Sequence, residues 1–401
     1  MHIALVSEHA SPLAALGGVD AGGQNIHVAE LAAELVRCGH RVTVYTRRDA
    51  PDLPDRVTAR PGFAVVHVPA GPADHVPKDD LLPYMGGFGA WLAERWAAAS
   101  ERPDVVHAHF WMSGLAALTA ARRTDLPVTL TYHALGSVKR RHHGTRDTSP
   151  PDRVGYERML GNRVDRVVAQ CRDEVEELTR MGVARRQIAV VPSGVDSGLF
   201  TPEGQAVART CPRVLTAGRL VPRKGFQDVI RAMRWVPDAE CVIVGGPPGR
   251  PVAEDPFGRR LVEVARLAGV ADRIRMVGAV PRAELPRWYR SADLMVTAPW
   301  YEPFGLTPLE AMAAGVPVVA SAVGGLLDTV VDGITGELVP PRDPAHLGRT
   351  LRRLLADRER RLGMSAAATD RARSRYGWPR AAEQLTAVYR SVAGAMSGAV
   401  A

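Results

Sequence analysis

The sequence predicts an α/β protein built from two doubly wound parallel sheets. Three observations carry this reading: a length of 401 residues, short apolar runs alternating with helical patterns, and a Pro/Gly-bearing interruption midway, after which the alternation starts afresh. One hydrophobic core seldom serves so long a chain, so two domains of roughly 200 residues each are expected.

The first series opens with HIALVS, continues through the helical NIHVAELAAELVRCG that Gly39 ends, and returns to RVTVYTR, which makes a βαβ unit. Further strands are FAVVHV, DVVHAHF, VTLTYH, RVVAQC and IAVVPS, with helices such as LAERWAAAS and RDEVEELTRMG between them. The apolar runs lack strict alternation, as expected of parallel strands covered on both faces. PSGVDSGLFTPEG at 192–204 breaks the series. A second series follows: RVLTAGRL, AECVIVGG, IRMVGAV, DLMVTA, VPVVAS and GELVPP. The expected division is 1–197 for an N-terminal Rossmann-like domain, 205–375 for a second, and 376–401 for a C-terminal helix. Ligands of such sheets sit beyond the carboxyl ends of the strands, so two domains facing one another would share a cleft.

Composition excludes several classes. Apolar content of 46 % with 5 % aromatics fits a globular protein, and no apolar run approaches the ~20 residues of a membrane span. The N-terminus has no signal-peptide pattern and reads as a first strand, from which a cytoplasmic location is expected. Four scattered cysteines show no zinc or redox spacing and are expected to be reduced, mostly in the core. The net charge of +8 suits anionic ligands, and KRRHHGTR at 139–146 is the one dense basic run. Nothing accompanies that run to suggest nucleic-acid binding. A membrane surface or a phosphorylated substrate fits the charge equally, and the oligomeric state is left open.

Three segments carry chemistry. GGVDAGGQN at 17–25 places Gly22 and Gly23 before a helix opening at Gln24 or Asn25, where backbone can approach phosphate. It is not the G-x-G-x-x-G fingerprint, and the second strand ends in TRRD without a ribose-binding acid, which disfavours a nicotinamide enzyme. AGRLVPRKGF at 217–226 brings Arg219 and Lys224 off a strand end, where both could reach a diphosphate. YEPFGLTPLE at 301–310 sets Glu302 and Glu310 either side of a helix start that should attract anions. Thr307 as cap, Pro308 at the first helical position and Glu310 three residues after the cap would form a capping box, which explains Glu310 without any ligand. Glu302 has no such explanation. With cations on the phosphates, the two glutamates are free to accept hydrogen bonds from hydroxyls, and a sugar nucleotide has hydroxyls at both ends.

These residues resemble those of the retaining glycosyltransferases of family 4: EPFGLTPLE is similar to their Glu-x7-Glu motif and GRLVPRKG to their donor-phosphate Arg/Lys pair. DAGGQN, HAHFWMSG, TYHALGSVK and PSGVD resemble the branch holding sucrose-phosphate synthases and D-inositol-3-phosphate glycosyltransferases. The resemblance covers nearly the whole chain and implies the GT-B fold, with a last helix crossing back to the first domain. It implies donor contacts for Gly22, Gly23, Arg219 and Lys224, hexose contact for Glu302 and the backbone of Phe304, Gly305 and Leu306, ribose contact for Glu310, and an active-site role for His133. In the inositol-phosphate enzymes an asparagine, a lysine, a tyrosine, a threonine and an arginine hold the acceptor phosphate. Asn25, Lys78 and Arg153 fit three of these, while Phe110 and Ala134 stand at the other two, each losing a hydroxyl worth about 0.5–1.5 kcal/mol.

The function expected is transfer of a hexosyl or N-acetylhexosaminyl group from a UDP or GDP sugar to a small acceptor, phosphorylated or not, with retention of configuration and no cofactor. No metal is expected: Asp-x-Asp is lacking, and His107, His109 and His133 have no carboxylate or cysteine at ligand spacing. A non-catalytic sugar-nucleotide binder and a nucleotide-sugar epimerase are the alternatives.

Overall fold

The computed structural model describes residues 1–14, 22–247 and 249–399. The chain divides into two compact units, and each is organised around one sheet.

The first sheet contains β1 (His2–Val6), β2 (Arg41–Arg47), β3 (Arg56–Ala59), β4 (Phe63–Val68), β5 (Val105–His109), β6 (Val128–Thr131), β7 (Arg166–Ala169) and β8 (Ile188–Val190), in the order β3-β4-β2-β1-β5-β6-β7-β8. All pairings are parallel except β3 with β4. β3 is an addition to the expected strands; its RVTA is half exposed and carries no apolar run to signal it. The second sheet holds β9 (Arg213–Ala217), β10 (Glu240–Val244), β11 (Ile274–Gly278), β12 (Leu294–Thr297), β13 (Val318–Ser321) and β14 (Gly336–Val339), ordered β11-β10-β9-β12-β13-β14 and wholly parallel. In both sheets the order reverses beside the first strand, between β1 and β5 and between β9 and β12. In open sheets of this kind, such a reversal is where loops leaving the carboxyl ends diverge and ligands bind.

The second unit begins at Ser193, earlier than the boundary expected at 198–204. The reason is packing: Val195 bridges to Gly377, and the fully buried Phe200 lies against Tyr289, with ring centroids 5.8 Å apart. PSGVDSGLF therefore belongs to the second core and is not a free linker. Among the cysteines, Cys171 and Cys241 are buried, Cys211 is half-buried and Cys38 is exposed, so only two lie in the core. No helix among the described residues is long and apolar enough to cross a membrane.

The last helix, Trp378–Ala399, belongs to the first unit. Trp378, Ala381, Ala382, Leu385, Tyr389 and Val392 recur at three- and four-residue spacing, which puts them on one stripe. They share a core with Val28, Leu31, Ala32 and Leu35 of the helix Gly23–Arg37. Two of these side chains also reach histidines. The Tyr389 hydroxyl bonds His107 Nδ1 at 2.7 Å, and the Trp378 ring meets that of His27 edge-on at 5.3 Å.

Leu385→Ala should cost about 2–5 kcal/mol in urea denaturation, the typical range for a buried leucine, whereas the same change at the exposed Leu362 should stay within about 0.5 kcal/mol. Equal costs would contradict the docking of this helix.

Burial also makes stability depend on pH. It pushes the His27 and His107 imidazoles down to about 3 and holds His109 and His133 well below the usual value of 6.5. Between pH 6.5 and 3 the unfolded chain binds protons at these positions that the folded chain does not. Stability is therefore lost as pH falls, at about 1.4 kcal/mol per pH unit for each site. Buried Glu174, pushed up to about 7, acts with the opposite sign between pH 4.5 and 7, as do Glu157, Asp173 and Asp228, whose carboxyls burial also raises, but the shifts of the four buried imidazoles are the larger contribution. Melting temperature should fall from pH 6.5 to pH 5, and His107→Gln should flatten that slope; an unchanged slope in the variant would contradict the assignment.

Candidate active site

In the second unit, the loops after β9 and β12 meet at the reversal of strand order. Gly225 makes the meeting possible: its φ is 72°, and a Cβ there would lie 1.7 Å from the Ala298 carbonyl oxygen. The Trp300 N–H donates to the Arg223 carbonyl at 2.8 Å and ties the two loops together. Lys224 Nζ then donates to Glu302 Oε2 at 2.5 Å, while the Arg223 guanidinium lies 4.0 Å from the same oxygen and over the Tyr301 ring. Burial pushes the Glu302 carboxyl up, but Lys224, Arg223 and Arg219 outweigh it and hold it below its ordinary value. Burial likewise lowers the Lys224 ammonium, against the pull of Glu302. The backbone of Glu302 is fixed as well, since its carbonyl accepts from Gly325 N–H at 2.9 Å, and a Cβ on Gly324 would collide with that oxygen.

The helix after this loop runs Leu306–Ala313 with Gly305 as its N-cap, at φ 98°, and no side chain caps it. The capping-box expectation is thereby corrected. Thr307 lies inside the helix, and Glu310 points to other partners: Arg282 Nη1 at 2.5 Å and the Tyr289 hydroxyl at 3.0 Å. Burial, and then the Glu310 charge, drive the Tyr289 phenol far above its normal range. Glu310 is thus a hydrogen-bond acceptor built into the core, only 3 % exposed. Phe304 buries its ring against Tyr376, which leaves its backbone and that of Gly305 to form the turn.

In the first unit, residues 17–21 of the glycine-rich stretch lie outside the described residues; Gly22 is the N-cap of a helix that starts at Gly23, one residue earlier than expected. Gly22 N–H donates to Asn25 Oδ1 at 2.9 Å, and Asn25 Nδ2 donates to the Ser11 carbonyl at 3.0 Å. Both ends of that amide are in use.

At the ends of the adjacent strands β5 and β6, Phe110 and His133 adopt positive φ values of 86° and 59°. A non-glycine residue there costs on the order of 1–3 kcal/mol, and such strain clusters at functional sites. His133 Nε2 pairs with His109 Nδ1 at 2.9 Å, and the rings stack at 5.2 Å. Ring nitrogens of His27, His109 and His133 lie within 4.8 Å of one another, the one grouping with metal-ligand potential among the described residues. His107, weighed with His109 and His133 in the sequence and set aside as a metal ligand, bonds Tyr389 and Thr131. His133 is neutral at physiological pH, so it offers hydrogen bonds and not a charge.

Arg153 is 2 % exposed. Its guanidinium bonds Glu157 at 2.8 Å, Ser149 at 3.1 Å and the Ala134 carbonyl at 2.6 Å, and it stacks over Phe110 at 5.0 Å. Glu157 completes its coordination with the Gly136 N–H at 2.8 Å. Lys78 sits in the turn Lys78–Asp80, half-buried. The sequence reading did not include Glu157, Arg282, Tyr289, His27 or the pair Glu8–His9, in which His9 Nδ1 meets Glu8 Oε1 at 2.6 Å beside Phe110. The i,i+4 spacing of Arg153 and Glu157 and the adjacency of Glu8 and His9 were usable signals; Arg282, Tyr289 and His27 meet their partners only through the tertiary fold.

Comparison with known proteins gives the family. Residues 21–199 match the family model described as Glycosyltransferase Family 4, and residues 202–371 match the model for glycosyl transferases group 1. The D-inositol 3-phosphate glycosyltransferase of Xylanimonas cellulosilytica is 39 % identical over 96 % of this chain and 96 % of its own. That of Catenulispora acidiphila is 37 % identical over 97 % and 95 %. Among solved structures, the sucrose-phosphate synthase of Thermosynechococcus elongatus superposes with a TM-score of 0.90 at 31 % identity, covering 98 % of this chain and 99 % of that one. The chain is a hexosyltransferase with the two parallel-sheet domains of the GT-B fold, and it belongs to glycosyltransferase family 4.

Proposed function

We propose that the chain transfers a hexosyl or N-acetylhexosaminyl group from a UDP or GDP sugar to a hydroxyl of a small acceptor, with retention of configuration and without a metal. The observation that carries the reading is the Lys224–Glu302 pair at the point where the second sheet reverses its strand order. A dianionic diphosphate entering that crevice competes with Glu302 for Lys224 and gains Arg219 as well. Glu302, relieved of its cation, turns to neutral hydroxyls of the hexose. Glu310, held by Arg282 and Tyr289, keeps a carboxylate for the ribose.

Transfer then needs stabilisation of the departing phosphate as its charge grows. Lys224 and Arg219 supply this as preorganised cations on fixed loops, and no reorganisation is required during the step. The departing phosphate oxygen takes the proton of the acceptor hydroxyl as that hydroxyl attacks from the same face. In the first unit, neutral His133, pinned by His109, offers a hydrogen bond to the transferred sugar.

Lys224→Met should lower kcat by about 10²–10³, the usual loss on removing one such donor, read at a temperature where circular dichroism shows the variant folded, since it leaves Glu302 buried without its partner. Glu310→Gln should weaken donor affinity by roughly 10-fold in calorimetry, as expected for a hydrogen bond to a charged group; unchanged affinity would remove the ribose role. Activity should survive excess chelator in full. Loss of activity that a divalent ion restores would instead assign a metal, with the His27, His109 and His133 grouping as the first place to look.

A further inference from the structure

We propose that His27, His109 and His133 form a binding site for a divalent transition-metal ion of the zinc class, and that an ion held there silences transfer by taking His133 out of service. The silencing rests on the glycosyltransfer reading above, in which His133 bonds the transferred sugar. The site itself rests on geometry.

Three elements supply the ligands: the helix Gly23–Arg37 gives His27, the end of β5 gives His109, and the turn just past β6 gives His133. One ring nitrogen from each lies within 4.8 Å of the others. In a tetrahedral zinc site with Zn–N of about 2.0–2.1 Å, ligand nitrogens stand about 3.3 Å apart. His109 Nδ1 and His133 Nε2, 2.9 Å apart, are already near that spacing, and the His27 ring meets that of His133 edge-on with centroids 4.8 Å apart. Small ring rotations close the set. The proton shared by His109 and His133 passes to the other nitrogen of its own ring as the ion enters, so all three ligands stay neutral imidazoles. Three neutral imidazoles with an open fourth position are a known way to hold zinc.

The surroundings keep these rings in place. The Gln170 side-chain amide lies 3.3 Å from His27 Nδ1, the kind of outer contact that orients a ligating histidine. Trp378 closes on His27, and His107, itself fixed by Tyr389 and Thr131, packs on His109 with centroids 4.2 Å apart. His109 Nε2 is buried and meets no hydrogen-bond partner among the described residues; such atoms are uncommon, and a nearby ion is one of the things that account for them. Burial keeps the three rings neutral, which leaves their lone pairs open to a metal. His27 and His109 are buried while His133 is half-buried, so an ion has a side from which to arrive. Imidazole nitrogens suit Zn²⁺, Co²⁺, Ni²⁺ and Cu²⁺, whereas Mg²⁺ and Ca²⁺ take oxygen ligands. The ion is no cofactor in this account: a metal-bound His133 is held away from the sugar, and occupancy and transfer exclude one another.

The test uses the intact chain without a histidine tag. Co²⁺ should bind at one equivalent with the intense visible absorption of tetrahedral coordination, Zn²⁺ should displace it, and excess Mg²⁺ should not. His27→Phe should weaken Zn²⁺ binding by about tenfold or more in calorimetry, since loss of even an outer-shell partner costs that much. Replacing His142 and His143, the adjacent pair in the basic run, by alanine should change nothing. A Co²⁺ complex without tetrahedral absorption, or equal Zn²⁺ affinity in His27→Phe and the parent chain, would overturn the site; the Co²⁺ spectrum of the parent chain decides even where the variant folds poorly. With free Zn²⁺ fixed by a metal buffer, the transfer rate should fall in step with occupancy and recover on chelation. Measured against its own metal-free rate, His27→Phe should need about tenfold more Zn²⁺ or greater for half inhibition. Full transfer by the Zn²⁺-saturated parent chain would overturn the silencing. Co²⁺ absorption needs no sugar substrate, so a chain that binds the metal yet transfers nothing in metal-free buffer removes the transfer reading, and the silencing with it, while the site stands.

Discussion

The buried contact between Lys224 and Glu302 is the constraint around which the second unit is arranged. Two opposite charges taken out of water gain little net stability, because desolvation offsets most of their attraction. Such a pair persists where the surrounding backbone leaves no alternative, and here it does: Gly225 brings the loop after β9 against Ala298, and Gly324 and Gly325 close on the backbone of Glu302. Their fit fixes where a cation and a carboxylate stand before any ligand arrives. In the proposed function, a site made in this way exchanges partners, lysine to phosphate and glutamate to hydroxyl, without moving its scaffold.

The first unit meets a different problem, which is to hold polar groups in a dry place. Four imidazoles stay neutral there because burial makes their protonation costly, and hydrogen bonds from Tyr389 and Thr131 orient one of them. The final helix supplies Tyr389 and Trp378, so a segment remote in sequence is part of the support for His133. Strain at Phe110 and His133 is concentrated where β5 and β6 end, next to the reversal of strand order. Charge in the same region is cancelled pair by pair, most tightly at Arg153 and Glu157.

Much of this was legible in the sequence because it depends on local pattern. Apolar runs of four to seven residues marked thirteen of the fourteen strands, and β3 escaped because its exposed residues carry no such run. The Glu302 and Glu310 spacing, and Arg219 and Lys224 behind a strand end, are also local. Local pattern does not reveal which side chains these residues meet in the fold. Glu310 sat at the correct spacing for a capping box, yet Arg282 and Tyr289, 28 and 21 residues earlier, offered it stronger bonds. Arg153 carries the charge expected of an acceptor-phosphate contact, and its ion pair with Glu157 one turn later was not part of the sequence reading. The boundary was misplaced because Pro and Gly signal a turn, while the burial of Phe200 beyond them decides which core the segment joins.

The central claim is that Lys224 and Arg219 grip a diphosphate while Glu302 turns to the sugar. A crystal structure with a nucleoside diphosphate hexose tests it most directly. The account predicts phosphate oxygens at about 3 Å from Lys224 Nζ and from the Arg219 guanidinium, with hexose hydroxyls on the Glu302 carboxylate. A diphosphate seated elsewhere, with Lys224 still bonded to Glu302 alone, would contradict it.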